Sequence, residues 1–229
     1  MLKHVGILLA GLLAATTASA AETTAAPAWE AGKHYFAIEP ALPTASGDKI
    51  EVLEVFSYAC PACNFFEPTM RKLEAALPAN AALVHLPASF RPDENWPVFQ
   101  RAYYAAQALG IVDRSHKAMF GAVWNDDGAL RISDPKTRRP LNPMPSIEDV
   151  AKYYTQYGVS YEDALGAANS FAVNAKMKRA DAMLRAYGVD STPTLVVAGK
   201  YRLTAQSAGG ADKIVPLVLF LIEKESAVQ

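Results

Sequence analysis

Cysteine is scarce in this chain: only two occur in 229 residues, Cys60 and Cys63. Two thiols cannot complete a tetrahedral zinc site, which takes four ligands. His34, His85 and His116 are scattered and lack the H-x₃₋₅-H spacing of zinc ligands, so no metal is expected. No later apolar stretch reaches the ~18 residues needed to cross a bilayer, and residues 215–222 have only the length of a buried helix. Neither charge dominates, with 22 Lys and Arg against 23 Asp and Glu. That balance argues against a nucleic-acid or anionic-membrane partner. No internal repeat is visible, and no metal or cofactor is called for.

The amino terminus has the pattern of an export signal. Met1-Leu2-Lys3 is a short basic start, residues 5–15 are apolar, and Ala18-Ser19-Ala20 is an A-x-A cleavage site. Residues 1–20 are therefore predicted to be a signal peptide cleaved near Ala20, followed by an Ala/Thr-rich tether over residues 21–28. No cysteine follows the cleavage site to carry a lipid. Export places the chain where disulfides persist. The 51% hydrophobic content allows one large core, or one domain with an insertion.

The chemistry concentrates in Phe56-Ser57-Tyr58-Ala59-Cys60-Pro61-Ala62-Cys63. An apolar run, residues 50–57, leads into it, and a helical pattern, residues 65–77, leads out. Cys60 thus falls where a strand ends and a helix begins. Unpaired N–H groups and the partial positive charge of a helix N-terminus favour a thiolate over a thiol. Pro61 suits the first helical position, where an N–H has no partner in any case. Cys63 follows one turn later on the same face. The pair reads as a reversible disulfide with one activated, exposed sulfur and one buried partner. A purely structural staple is the poorer reading, since closing so short a loop removes little chain entropy.

The order of elements is α/β with a helical block inside. Residues 29–42 read as a lead-in strand or extended arm closed by Pro40 and Pro43, residues 50–57 as a central strand, and residues 81–86 as a second strand. Pro68 is expected to kink the helix after the cysteines. Helices are predicted from Pro97 to Leu109 and from Asp113 to Trp124, then an exposed loop over residues 126–145. Ser146 with Asp149, and Ser160 with Asp163, mark two further helix starts. A long helix over residues 171–187 stops at Gly188. Strands over residues 194–198 and 201–203 flank Gly199-Lys200 as a hairpin, and an apolar helix closes the chain.

Glu54-Val55-Phe56-Ser57-Tyr58-x-Cys60-Pro61-x-Cys63, and later Gly188-Val189-x-Ser191-Thr192-Pro193-Thr194-Leu195 before Gly199-Lys200-Tyr201, resemble the DsbA family of periplasmic disulfide oxidases. The resemblance covers residues 29–225. It implies a thioredoxin fold with an inserted α-helical domain: residues 21–91 and 171–229 form the thioredoxin part, and residues 92–170 the insert. It further implies that Cys60 is the attacking and attacked sulfur and that Cys63 resolves the mixed disulfide. Pro61 and Ala62 form the active-site loop. Pro193 matches the family's cis-proline, and Thr192 its substrate-binding main chain. Glu54 matches a buried acid that exchanges a proton with Cys63; Glu67 belongs either to that cluster or to the exposed face of the helix. The implied partners are reduced exported proteins and a quinone-linked membrane protein of DsbB type, with the chain a periplasmic monomer.

Three departures from the family pattern stand out. Ala62 occupies a position where many members carry histidine, and an imidazolium there would stabilise the Cys60 thiolate. Charge-assisted hydrogen bonds contribute ~1.5–3 kcal/mol and ~30 mV corresponds to ~1.4 kcal/mol, so a potential lower by some tens of millivolts is expected. Thr192 replaces a common valine, and the loop over residues 126–145 looks long. An isomerase or reductase kept as a dithiol is the alternative function, and a peptide-binding module with an inert disulfide a third. The short lead-in leaves no room for the N-terminal dimerisation domain common among isomerases of this superfamily, which favours the oxidase.

Overall fold

In the computed structural model, which describes residues 29–227, a two-residue strand β1 (Phe36–Ala37) precedes the seven-residue strand β2 (Ile50–Phe56). The signal-peptide and tether expectations lie outside the described residues. All seven residues of β2 are buried, as expected of a mostly apolar strand covered on both faces, and the two acids within it, Glu51 and Glu54, are buried with the rest. Helix α1 (Pro61–Ala76) follows and continues through Pro68, and strand β3 (Ala81–Pro87) then pairs parallel to β2.

Four helices come next: α2 (Trp96–Ala108), α3 (Val112–Trp124), α4 (Ile147–Tyr154) and α5 (Tyr161–Ala168). The capping residues read from sequence form. Ser146 and Asp149 make a reciprocal capping box on α4, and the Ser160 hydroxyl accepts from the Asp163 N–H on α5. Each such cap satisfies an N–H that the helix leaves unpaired. Helix α6 (Phe171–Ala186) leads back to the sheet, where β4 (Thr194–Val197) and β5 (Tyr201–Leu203) form a hairpin. A short helix α7 (Ala205–Ala208) and the apolar α8 (Ile214–Ser226) close the chain.

The sheet order is β1-β5-β4-β2-β3, with β2 between a parallel and an antiparallel neighbour. Alternation along β2 divides the core. Ile50 and Val52 pack with Phe66, Leu73, Leu217 and Leu221 of α1 and α8. Leu53 and Val55 face the helical block, in a cluster with Phe99, Ala102 and Leu184 of α2 and α6. Glu54 falls on the α1 face by the two-residue period of a strand. The resulting architecture is a mixed sheet with helices on both faces and a helical block between β3 and β4.

Some expectations need correction. The lead-in strand shrinks to Phe36–Ala37, which pairs with β5 at the edge of the sheet. The hairpin turn is centred on Ala198 and Gly199, both with positive φ, one residue earlier than read. That is the geometry favoured between twisted strands. The loop over residues 126–145 is not wholly exposed, because Leu130 and Ile132 are buried in the core. The polar and proline-rich stretch around those two residues hid their packing.

At Gly199, φ is +66° and an added Cβ would meet the Leu42 carbonyl oxygen. Gly199→Ala is therefore expected to destabilise the protein by at least about 1 kcal/mol. The check is a lower denaturant midpoint with unchanged slope, and an unchanged midpoint would contradict this account of the turn.

Candidate active site

Strand β2 ends at Phe56, and the chain turns over Ser57, Tyr58 and Ala59 before α1 begins. Cys60 is the N-cap of α1, with extended backbone and no side-chain cap, and Pro61 is the first helical residue. The first turn carries no acidic residue, so nothing there repels a thiolate. Two contacts from α3 hold the turn: Trp124 donates to the Tyr58 carbonyl at 2.8 Å, and the Tyr58 hydroxyl meets His116 Nδ1 at 2.8 Å.

Both sulfurs are unbridged, and their surroundings differ. Cys63 is fully enclosed, and Cys60 retains only 5% exposure, less than the open sulfur expected from sequence. The loop containing Thr192 and Pro193 covers it. Cys60 Sγ lies 3.6 Å from the Thr192 carbonyl although 132 positions separate the two residues. The Thr192–Pro193 peptide is cis. Thr192 and Pro193 are half-buried and precede the first paired residue of β4, so the Thr192 main chain is outside the ladder.

The environment drives the two thiols apart. The Cys63 thiol donating to it, above all, brings Cys60 down to about 6; burial opposes this, while the Thr192 side chain and the backbone N–H groups of Cys63 and Ala62 assist. The helix N-terminus thus contributes, but the partner thiol contributes more. Burial pushes Cys63 well above the ordinary thiol range, and the neighbouring Cys60 and Glu54 charges push it further. The Thr192 hydroxyl is buried without a hydrogen-bond partner among the described residues. A Cys60 thiolate supplies the acceptor it lacks, which valine at this position could not use.

Glu54 is buried at 3% exposure, on the strand beneath the cysteines. Desolvation raises its carboxyl to about 8, with the Glu67 charge adding to the effect. Glu67 itself pairs with Arg71 at 3.1 Å and lines the same groove, so it belongs to this cluster rather than to a free helix face. Glu51, also buried, differs in having its own donors in the Ala45 N–H and Ser46 hydroxyl. Glu54 Oε2 lies 3.4 Å from His85 Nε2.

Two residues near the site were missed from sequence. Parallel pairing of β2 and β3 sets His85 opposite Glu54, and α3 brings His116 against it with ring centroids 4.3 Å apart. These histidines are not scattered in space. Only the strand register could have disclosed the first, and no local signal discloses the second. Ala62 is exposed at the surface beside the cysteines.

A stabilised thiolate at a helix N-terminus, a protonated thiol one turn behind it and a proton-holding carboxyl below define a dithiol–disulfide exchange centre on a thioredoxin-type sheet. A DSBA-like thioredoxin domain model matches residues 51–217. The chain is 35% identical to the thiol:disulfide interchange protein DsbA of Pseudomonas aeruginosa over 199 residues, 87% of each chain. It is 33% identical to the DsbA of Pseudomonas syringae pv. tomato, covering 96% of this chain and 95% of that one. Among solved structures, Pseudomonas aeruginosa DsbA superimposes with a TM-score of 0.72 at 33% identity, over 87% of this chain and 96% of that one. Xylella fastidiosa DsbA gives 0.73 at 28% identity, over 88% and 99%. The chain belongs to the DsbA-like thioredoxin family, and it is a thiol:disulfide oxidoreductase.

Removing the Thr192 hydroxyl tests its part in holding the thiolate. Thr192→Val is expected to raise the pH midpoint of Cys60 alkylation by iodoacetamide above that of the unaltered protein, which lies near 6. An unmoved midpoint would mean that the hydroxyl does not act on the sulfur.

Glu54 links the site to stability. Folded, it keeps its proton up to about 8, whereas an ordinary glutamate releases it at 4.5. The unfolded chain therefore holds fewer protons across that window, and stability falls as pH rises through it. Glu54→Gln is expected to stabilise the reduced protein by more than about 1 kcal/mol at the top of the window and little at the bottom. Denaturant unfolding at both ends measures it; a variant less stable at the alkaline end would contradict the assignment.

Proposed function

We propose that this protein donates its Cys60–Cys63 disulfide to reduced proteins exported to the periplasm. The carrying observation is the split between the two thiols. A thiolate stabilised in the reduced protein makes the dithiol form favourable, so the disulfide tends to accept electrons. A client thiolate attacks Cys60 Sγ, the Cys60–Cys63 bond breaks, and Cys63 leaves with the electron pair. Glu54, protonated near neutral pH, gives its proton to the Cys63 sulfur. A second client thiol then attacks the client sulfur of the mixed disulfide and releases the Cys60 thiolate. The client gains a disulfide, and the protein is left with two reduced cysteines.

Client binding follows the same geometry. An extended client segment pairs with the Thr192 main chain beside Pro193, which lies outside the strand ladder, a mode that reads backbone more than side chains. Phe65, 81% exposed on α1 next to the cysteines, offers an apolar contact. Enclosure of Cys63 directs attack to Cys60. A membrane-bound, quinone-linked acceptor of DsbB type would restore the disulfide, and the protein would act as a monomer.

The test is equilibration with glutathione. Reduced glutathione is expected to convert the protein largely to the dithiol; an equilibrium that leaves the protein as disulfide would make it a reductant instead. In the same assay Ala62→His is expected to raise the potential by some tens of millivolts, ~30 mV corresponding to ~1.4 kcal/mol. An unchanged potential would show that this exposed position does not act on the thiolate.

A further inference from the structure

The groove beneath the cysteines holds more than a proton-bearing carboxyl. Glu54, His85 and His116 each place one potential ligand atom so that all three lie within 4.8 Å of one another. Three different elements supply them, β2, β3 and α3, so the cluster is a product of the tertiary fold. Two imidazoles and a carboxylate are the donor set that borderline first-row divalent ions take in sites with an open position.

The distances suit such an ion. Metal–ligand bonds of ~2.0–2.1 Å set neighbouring donors ~3.3 Å apart in a tetrahedron. Glu54 Oε2 and His85 Nε2 are already 3.4 Å apart. The third donor needs to close by an ångström or so, a small movement for an imidazole ring. The Tyr58 hydroxyl lies 2.8 Å from His116 Nδ1. It can accept that N–H and fix the ring with Nε2 free, the outer-shell arrangement common to metal-bound histidines.

The cluster opens into a cavity of about 530 Å³, leaving room for water as a fourth ligand. The cavity also carries Glu67, Glu74 and Asp113 against Arg71 and Lys117, a balance that favours a cation. We propose that Glu54, His85 and His116 form a site for one divalent transition-metal ion of the zinc class, with a water-accessible fourth position. This reverses the expectation of no metal drawn from histidine spacing. Occupancy would withdraw Glu54 from Cys63, so that ion and proton exchange exclude each other; that consequence, unlike the site itself, rests on the proton-exchange role proposed above.

The experiment uses the protein with its Cys60–Cys63 disulfide formed, because free thiolates would bind the ion themselves. Titration with Zn2+ is followed by the imidazole resonances of the unaltered protein and by calorimetry. The expected result is saturation at one equivalent, with shifts confined to His85 and His116. His85→Gln and His116→Gln should each weaken binding by at least about tenfold, and His34→Gln should leave it unchanged. Absence of saturable binding, shifts at His34 instead, or equal affinity in His85→Gln would overturn the site. The resonance measurement stands even if His116→Gln fails to fold, and none of these readings depends on the direction of electron flow.

Discussion

Unequal treatment of two sulfurs one helical turn apart is the constraint on which the site depends. The Cys60 sulfur sits at the end of α1, where amides and the Cys63 thiol stabilise its negative charge. The Cys63 sulfur is sealed inside, where a charge is costly. Neither effect would suffice alone. A buried pair with no donors would hold two inert thiols, and an open pair would ionise both near the ordinary thiol range. Placing the pair at the junction of a central strand and a helix produces the difference from backbone geometry and enclosure.

The remaining elements serve that junction. Strand β2 is buried along its whole length and fixes the height at which α1 begins. The loop before β4 lays Thr192 and Pro193 against Cys60 and limits its access to solvent. Helix α3 reaches across from the helical block, with Trp124 holding the Tyr58 carbonyl and His116 the Tyr58 hydroxyl. The block is therefore built into the active site and not merely appended to the sheet. Glu54 is kept protonated by the same enclosure that raises Cys63, so one cause, burial, acts on both groups.

Much of this was legible in the sequence because it is written in local patterns. Seven consecutive buried residues in β2, proline after Cys60, serine caps before α4 and α5, and the glycine of the β4–β5 turn each follow from a rule acting over a few residues. What escaped depends on distant segments meeting. His85 faces Glu54 only through the β2–β3 register, and His116 arrives on α3 from the helical block. The enclosure of Cys60 depends on a loop 132 positions away. Leu130 and Ile132 lie in a proline-rich stretch with no helical or strand period, so their burial left no pattern to read. The family resemblance supplied Thr192 and Pro193; it did not supply the orphaned Thr192 hydroxyl, whose burial arises only in the folded chain.

The split between the sulfurs is most directly tested by observing both at once. Cysteine labelled with carbon-13 at Cβ reports each ionisation separately as the reduced protein is titrated. Cys60 is expected to titrate near 6, and Cys63 to remain protonated past the ordinary value of 9.0. Two cysteines titrating together, or Cys63 ionising first, would contradict the account.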